Sequence, residues 1–127
     1  MPDSVLQQLQ DAVARNTAAV LSLPSDGMLR HQKARFLKNA EDEQSFWMEC
    51  SAHDRPLVEQ LIKFQTPVGI SYKSSQIKST FAALIIERVD EFHINAETTV
   101  CAVRLRFPEA IKQVQRRMNY RVRVPAG

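Results

Sequence analysis

The chain is poor in residues on which several common protein classes depend. Only three of its 127 residues are glycine, namely Gly27, Gly69 and Gly127, and they lie far apart. No glycine-rich loop can therefore wrap a phosphate group, which excludes P-loop, kinase and Rossmann nucleotide sites. The two cysteines, Cys50 and Cys101, are too few for a disulfide framework. We interpret them as small buried residues of a protein in a reducing compartment.

Long hydrophobic runs and targeting segments are also lacking. No stretch approaches the roughly 18 consecutive apolar residues of a transmembrane helix, and the start, MPDSVLQQLQ, lacks the basic and apolar regions of a signal peptide. Hydrophobic residues make up 44% and charged residues 24% of the chain, which is typical of a globular protein. We therefore expect one compact core, a cytoplasmic location and no membrane span.

Positive charge is concentrated near the C-terminal end. The formal net charge of the whole chain is only +3. Between Arg104 and Arg123, however, seven basic residues stand against the single acid Glu109, so this segment carries +6 and the rest of the chain −3. Such an asymmetry favours a polyanionic partner at that end, such as a nucleic acid, a nucleotide or a phosphate-rich surface.

Hydrophobic periodicity predicts one helix followed by six strands. Leu6, Leu9 and Val13 form an apolar stripe over residues 4–15, which is typical of a helix that covers a core. Apolar runs separated by turn residues predict strands over 18–23, 29–38, 45–51, 67–73, 76–87 and 98–107. In the last strand, apolar residues alternate with Arg104 and Arg106, whose side chains are expected to point to water.

The remaining segments complete a mainly β architecture. Residues 54–64 fit either a short helix or an extended crossing, whereas a proline and the apolar spacing predict a short helix over 108–118. Six short strands without a repeated strand–helix–strand unit are typical of an antiparallel barrel or sandwich. The sequence therefore predicts a six-stranded antiparallel split β-barrel with an N-terminal helix and a short C-terminal helix or linker.

The sharpest local pattern is QRRMNYRV, residues 115–122, in which Arg116, Arg117 and Arg121 crowd around Tyr120. A guanidinium group is a planar fork that grips phosphate oxygens or the O6 and N7 edge of guanine, and it also stacks on a purine ring. Taken alone, a pattern of this kind is more often a solvated basic face than a specific anion site.

This string resembles the arginine motif that opens PilZ domains, in which an Arg-Arg-x-x-x-Arg segment grips the bacterial second messenger cyclic di-GMP. The upstream sequence FPEAI, residues 107–111, resembles the junction in flagellar-brake proteins of the YcgR type, where a separate N-terminal domain precedes the motif. The resemblance implies a YcgR-like N-terminal split-barrel domain over 1–107. It also implies a linker over 108–127 that carries the motif and the start of a PilZ domain.

The resemblance also implies a ligand. Arg117 and Arg121 match the spaced pair of the motif and Arg116 the preceding basic position, so all three are expected to bind cyclic di-GMP. The second PilZ signature, Asp/Asn-x-Ser-x-x-Gly, is absent from this sequence. We therefore expect the chain to be the N-terminal part of a longer protein, with ligand binding only in the presence of the complete PilZ domain.

The resemblance further implies a regulatory role. In such proteins the N-terminal domain modulates the response to the ligand and contacts protein partners, including components of the flagellar motor. We therefore expect a non-enzymatic module that needs no cofactor and controls flagellar motility, with recruitment to the flagellar basal body.

Two further functions are weighed against this one. A small basic barrel could bind single-stranded nucleic acid through arginines and exposed aromatic rings. The basic block is linear in sequence, however, and four phenylalanines fit buried strand positions, so nucleic acid is not expected as a partner; they are Phe36, Phe46, Phe81 and Phe107. Split barrels also host flavin, yet no residue pattern here specifies a flavin site.

The segment from Cys50 to Asp54 contains residue types that occur in metal and catalytic sites, but their arrangement supports neither kind of site. Cys50 and His53 have a Cys-x-x-His spacing, but structural zinc needs four ligands and the other thiol and imidazoles are scattered. Ser51, His53 and Asp54 suggest a hydrolase, but sequence neighbours point in different directions. Trp47 is out of phase with its apolar neighbours, which fits a contact patch on the wet face or a covered aromatic equally well.

Overall fold

The structure is a computed structural model that describes residues 3–115. It contains two α-helices, a short 3-10 helix at Ala52–Asp54 and eight strands. The helices are α1 (Asp3–Ala14) and α2 (Arg55–Lys63). The strands are β1 (Ala18–Ser25), β2 (Met28–Asn39), β3 (Ser45–Glu49), β4 (Val68–Ser74), β5 (Ile77–Ala83), β6 (Ile85–His93), β7 (Thr99–Arg106) and β8 (Lys112–Gln115).

All eight strands belong to one antiparallel sheet in the order β6-β7-β3-β2-β1-β4-β5-β8. Its centre is the long strand β2, which pairs with β1 through its first part and with β3 through its last part, with a register shift between Phe36 and Lys38. The β1–β2 hairpin closes through Asp26 and Gly27, which both have positive φ, as an Asp-Gly hairpin turn requires.

The sheet folds over a core that is shared by its two sections, the strands on the β1 side of β2 and the strands on the β3 side. The largest fully buried side chains come from both of them, because successive strand residues alternate between the core and the outer face. Phe36 contacts Phe46 and Tyr72 edge-to-face, with ring centroids 5.7 and 5.3 Å apart. Each such pair contributes about 0.5–1.5 kcal/mol beyond the area that it buries. The aromatic cluster therefore ties β2, β3 and β4 together.

The two helices cover different parts of this core. In α1, Leu9 and Val13 are completely buried, which confirms the predicted apolar stripe on a helix that covers a core. In α2, Val58 and Leu61 are buried, and the helix begins with Pro56 in its first turn, where proline is well tolerated. Helix α2 packs against β6.

The predicted six-stranded barrel is wrong in strand number and is not observed as a closed structure. The predicted helix over 4–15 and five of the strands occur with shifted ends, and the ambiguous segment 54–64 forms α2. Residues 76–87 form two strands, because the chain leaves β4 at Leu84 and pairs next with β7. Among residues 3–115 the end strands β6 and β8 have no second partner, so the sheet stays open.

The predicted C-terminal helix is also wrong where the structure describes it. Residues Lys112–Gln115 form β8, which pairs with Thr80–Ile77 of β5. The open edge of β5 offers backbone hydrogen-bond partners to this segment, and that long-range pairing overrides the local spacing of apolar residues. Within the described part of the chain, no helix is long and apolar enough to cross a membrane.

Candidate functional site

The three arginines singled out from the sequence, Arg116, Arg117 and Arg121, lie outside the described residues. The structure does describe the strand that leads to them. Gln115, the last residue of β8, lies opposite Ile77, next to the turn that joins β4 and β5. The segment that carries the arginines therefore follows directly on an edge strand of the folded sheet.

Side-chain hydrogen bonds attach β8 to the rest of the domain. The Gln113 amide donates to the side-chain oxygen of Gln8 in α1 at 2.8 Å and to the Ser79 hydroxyl of β5 at 3.3 Å. Ser79 is buried, so this contact joins β8 to the core side of the sheet. The strand that precedes the arginine segment in the sequence is thus coupled to both α1 and β5.

Lysines surround β8 on the outer face of the sheet. Lys73 lies directly opposite Lys78, Lys78 lies opposite Val114, and Lys112 lies opposite Thr80. All three lysines are exposed. Like charges directly opposite each other on a sheet are destabilising, because their Cβ atoms are only about 4.5–5.5 Å apart. The positive charge around β8 therefore includes residues from the β4–β5 hairpin, which the sequence analysis did not identify.

Arg104 does not point freely into water as predicted. Its Nε donates to Glu87 Oε1 at 2.7 Å, and its Nη1 lies 3.3 Å from Asp42 Oδ2 and 3.2 Å from the Ser45 hydroxyl. The side chain is 27% exposed. The sequence pattern could not reveal these partners, because Asp42 and Glu87 come from different parts of the chain. Arg106, in contrast, is exposed as expected.

This network also affects the carboxyl group of Asp42. The backbone N–H of Gln44 donates to it, and together with the Ser45 hydroxyl and the charge of Arg104 it lowers the pKa of Asp42. A carboxylate that accepts several hydrogen bonds is favoured in its charged form. The Arg104 cluster is therefore a structural charge network on the outer face of β3, β6 and β7.

Trp47 is half-buried on the same outer face. Its ring centroid lies 5.0 Å from that of Phe92, and the Arg104 guanidinium lies 6.0 Å from the Trp47 ring. These residues and Lys38 line a shallow cavity of about 320 Å³. Of the two interpretations of Trp47, the structure favours a partly covered aromatic that packs within the domain.

The segment around Cys50 has a structural role in the geometry observed. The Ser51 hydroxyl accepts the backbone N–H of His53 at 3.2 Å, as a cap of the 3-10 helix. Asp54 is buried, accepts a hydrogen bond from Gln32 and lies 3.5 Å from Arg30. The hydrogen bonds described for residues 3–115 include none from the His53 ring to Ser51 or Asp54. This arrangement holds the start of α2 against β2.

The Cys50 side chain faces the core. Burial raises the pKa of its thiol to about 11, so it is a poor nucleophile near neutral pH. Across the described residues, no group of three or more His, Cys, Asp or Glu side chains converges in a way that could hold a metal ion.

A larger groove lies between the β1–β2 hairpin and α2. Its volume is about 480 Å³, and Arg30, Asp54, Leu57 and Phe64 are among its lining residues. Phe64 is 69% exposed at its rim. Polar and apolar side chains both line the groove, its ion pair joins the exposed Arg30 to the buried Asp54, and no ligand chemistry follows from it.

Comparisons with known proteins relate the fold to solved structures. No protein-family description matches the sequence, and no curated protein matches it. The structure is similar to the YcgR-N domain of YcgR from Escherichia coli, with a TM-score of 0.62 and 15% sequence identity over 90% of this chain and 91% of that one. The predicted YcgR-like N-terminal domain is thus confirmed at the level of the fold.

A second solved structure has a comparable fold. It is a protein from Clostridium acetobutylicum related to general stress protein 26 of B. subtilis, described as a member of the pyridoxinephosphate oxidase family. The TM-score is 0.57 and the identity 8%, over 93% of this chain and 99% of that one. At such identities the two similarities establish the fold alone.

Proposed function

We propose that the chain is the N-terminal regulatory module of a cyclic di-GMP receptor of the PilZ family, and that its folded domain contacts a protein partner. In this proposal Arg116, Arg117 and Arg121 form part of the ligand site. The receptor would control flagellar motility through contact with the flagellar motor. The module itself is non-enzymatic.

The observation that carries the proposal is the likeness to the YcgR-N domain over 90% of this chain, combined with the position of the arginines. The sequence RRMNYR follows immediately on β8, the last described strand. A fold of the YcgR-N type followed directly by a PilZ-like arginine motif is the arrangement expected of a YcgR-like protein. Lys112, the first residue of the strand that leads to the motif, and Lys78 on the neighbouring strand add positive charge there.

The chemistry of the ligand suits this segment. Cyclic di-GMP carries two phosphates and two guanines, so several guanidinium groups can combine charge-assisted hydrogen bonds with stacking on the bases. Arginine is needed rather than lysine, because only its planar fork can make both kinds of contact.

Ligand binding would act as a switch through the same segment. The arginines lie between this domain and the proposed PilZ barrel, so their contacts with the ligand would order the connection. Ordering of a connection changes the relative orientation of the two domains when the ligand contacts differ between the two arrangements. Since β8 is bonded to α1 and β5, the new orientation would be transmitted to the folded domain as a unit.

Isothermal titration of cyclic di-GMP into the intact gene product tests the proposal. Arg117→Ala and Arg121→Ala are each expected to weaken binding by about tenfold or more, because each removes a charge-assisted, bidentate contact. Arg106→Ala is the matched control, because Arg106 is an exposed arginine of β7 outside the motif. Unchanged affinity in both motif variants would overturn the proposal.

Two further observations bear on the same proposal. An Asp/Asn-x-Ser-x-x-Gly pattern some tens of residues beyond Gly127 in the reading frame is expected. The purified protein is expected to be colourless. A reading frame without the second signature, or a yellow protein with flavin absorbance, would contradict the assignment.

A further inference from the structure

Five neighbouring strands of the sheet form an outer face that is free of acidic side chains. The strands are β2, β1, β4, β5 and β8, in that spatial order. Their sequences contain no aspartate and no glutamate. Their apolar residues alternate toward the core, so lysines and small side chains occupy the opposite face.

One row of residues crosses this face from edge to edge. Lys33 lies opposite Val20, Val20 opposite Ser71, Ser71 opposite Thr80, and Thr80 opposite Lys112. Four steps between neighbouring strands separate the two lysines, which corresponds to about 19 Å. The row therefore carries a lysine at each end and small side chains between them.

In the next row along the strands, the lysines lie on the central strands β4 and β5. Lys73 and Lys78 stand opposite each other beside Val114, and Gly69 lies between Ser22 and Ala82. We call the surface made by Lys33, Lys73, Lys78, Lys112 and the small residues between them the basic sheet face.

The four lysines of the basic sheet face have no carboxylate partner within residues 3–115. The arginines of β2, in contrast, are paired: Arg30 lies 3.5 Å from Asp54, and Arg35 lies 3.6 Å from Glu49. The domain thus neutralises the arginines of this strand and leaves the four lysines exposed, with Lys73 and Lys78 directly opposite each other. Such a surface gains free energy when an anionic partner covers it.

We propose that the basic sheet face binds an acidic α-helix of a partner protein. An α-helix is about 10–12 Å in diameter, so one helix can lie on the small side chains between Lys33 and Lys112, which are about 19 Å apart. Glutamates on both flanks of the helix would reach the lysines on either side. Small helix residues would pack on Val20 and Ser71, and Val20 is already 37% exposed.

Single-stranded nucleic acid fits this face less well than an acidic helix. Nucleic-acid platforms stack bases on exposed aromatic rings. The only aromatic residues of the five strands are Phe36, Tyr72 and Phe81, and all three are buried in the core. The basic sheet face therefore offers no stacking surface.

An anionic membrane also fits less well. Membrane-bound surfaces insert large apolar side chains among their lysines. The strongly exposed apolar residues of these strands, Met28 and Leu29, lie at the tip of the β1–β2 hairpin. Leu29 is four residues from Lys33, or about 13 Å along an extended strand.

This proposal goes beyond the proposed function and does not depend on it. The test uses fluorescence anisotropy with a labelled amphipathic peptide of about 18 residues, made of glutamate, alanine and leucine, with glutamates flanking an apolar stripe. Replacement of Lys33, Lys73, Lys78 and Lys112 by glutamine is expected to weaken peptide binding about tenfold or more at low salt. Peptide binding at wild-type strength by this variant overturns the proposal.

A matched variant controls for net charge. Replacement of Arg15, Lys38, Lys63 and Arg106 by glutamine removes the same four charges from exposed positions outside the basic sheet face. We expect this variant to bind the peptide within about threefold of the wild type. An equal loss in both variants would mean nonspecific attraction and would contradict the assigned surface.

A steric variant tests contact with the small side chains between Lys33 and Lys112. Ser71→Tyr places a large side chain in the centre of this row without changing the charge, at a strand position where tyrosine is well accommodated. We expect peptide binding to be lost while the thermal unfolding temperature is retained. Full binding by the folded Ser71→Tyr variant contradicts a helix that lies on this row.

Competing ligands separate this proposal from the other partner classes and from the proposed function. If an oligothymidylate of about 15 nucleotides, or phosphatidylserine vesicles, bind more tightly than the peptide, the proposal of an acidic helix as the partner is overturned. In the intact gene product, the glutamine variant of the basic sheet face is expected to retain cyclic di-GMP binding. The Arg117→Ala variant is expected to retain peptide binding. Either proposal can therefore fail while the other stands.

Discussion

The lysine pair Lys73 and Lys78 provides a quantitative test of the geometry of the outer sheet face. Because the two residues lie directly opposite each other, Lys73→Glu changes a repulsion into an attraction. Two unit charges about 7 Å apart in water interact by about 0.6 kcal/mol, so the change amounts to about 1.2 kcal/mol before screening. We therefore expect Lys73→Glu to stabilise the fold.

Salt gives this prediction a signature. With screening, the gain is expected to be about 0.9 kcal/mol at 0.01 M salt, about 0.5 kcal/mol at 0.15 M and about 0.1 kcal/mol at 1 M. Urea unfolding at the three salt concentrations measures it, and guanidinium is avoided because it is itself a salt. The single tryptophan, Trp47, is half-buried in the sheet and reports unfolding by fluorescence.

Lys33→Glu is the matched control for this experiment. Lys33 is also an exposed strand lysine on the same face, but its cross-strand partner is Val20, and the nearest basic residue along the strand, Arg35, is already paired with Glu49. We expect Lys33→Glu to change stability by less than half as much as Lys73→Glu at low salt. An equal effect in both variants, or a gain that persists at 1 M salt, would refute the cross-strand geometry.

Three further perturbations have defined outcomes. Since burial raises the pKa of Cys50 to about 11, stability should be complete below about pH 9 and fall as the pH rises toward 11. With the other cysteine replaced by serine, native Cys50 should be alkylated about 100-fold more slowly at pH 8 than in urea. Phe46→Ala should cost about 3–5 kcal/mol in urea unfolding, and Phe64→Ala, at a site 69% exposed, less than about 0.5 kcal/mol. The hydrogen bond from Arg88 lowers the pKa of Asp90. The stabilisation that this carboxylate gives the fold is therefore present above the ordinary carboxyl pKa and is lost as the pH falls through the lowered pKa. Asp90→Asn should flatten the acid side of the plot of stability against pH.

Local sequence patterns were sufficient for the elements that carry their own periodicity. The stripe in α1 and the alternation in β7 follow from which side chains must be buried, and both occur close to their predicted bounds. The exchange of partners at Leu84 could not be predicted in this way, because the residues on both sides of it are apolar in either pairing. Strand β8 was missed because four residues at a sheet edge are defined by their partner, β5, and not by their own pattern.

The residues proposed to be functional divide in the same way. The arginine motif is contiguous, so the sequence alone is enough to identify it. The basic sheet face is assembled from Lys33 and three lysines far along the chain, and only the strand register brings them together. The alternation of lysine with apolar residues in β4 and β5 was a usable signal for exposed lysines, but not for their mutual positions. The partners of Arg104 were hidden for the same reason.

The most direct test of the proposed function observes the arginine side chains themselves in the intact gene product. In nitrogen-15 NMR spectra, cyclic di-GMP is expected to shift the Nε–Hε signals of Arg116, Arg117 and Arg121, assigned from Arg→Lys variants, and to protect them from solvent exchange. The exposed Arg106 should remain unchanged. Saturation with cyclic di-GMP that leaves all three motif signals at their free positions would contradict the account.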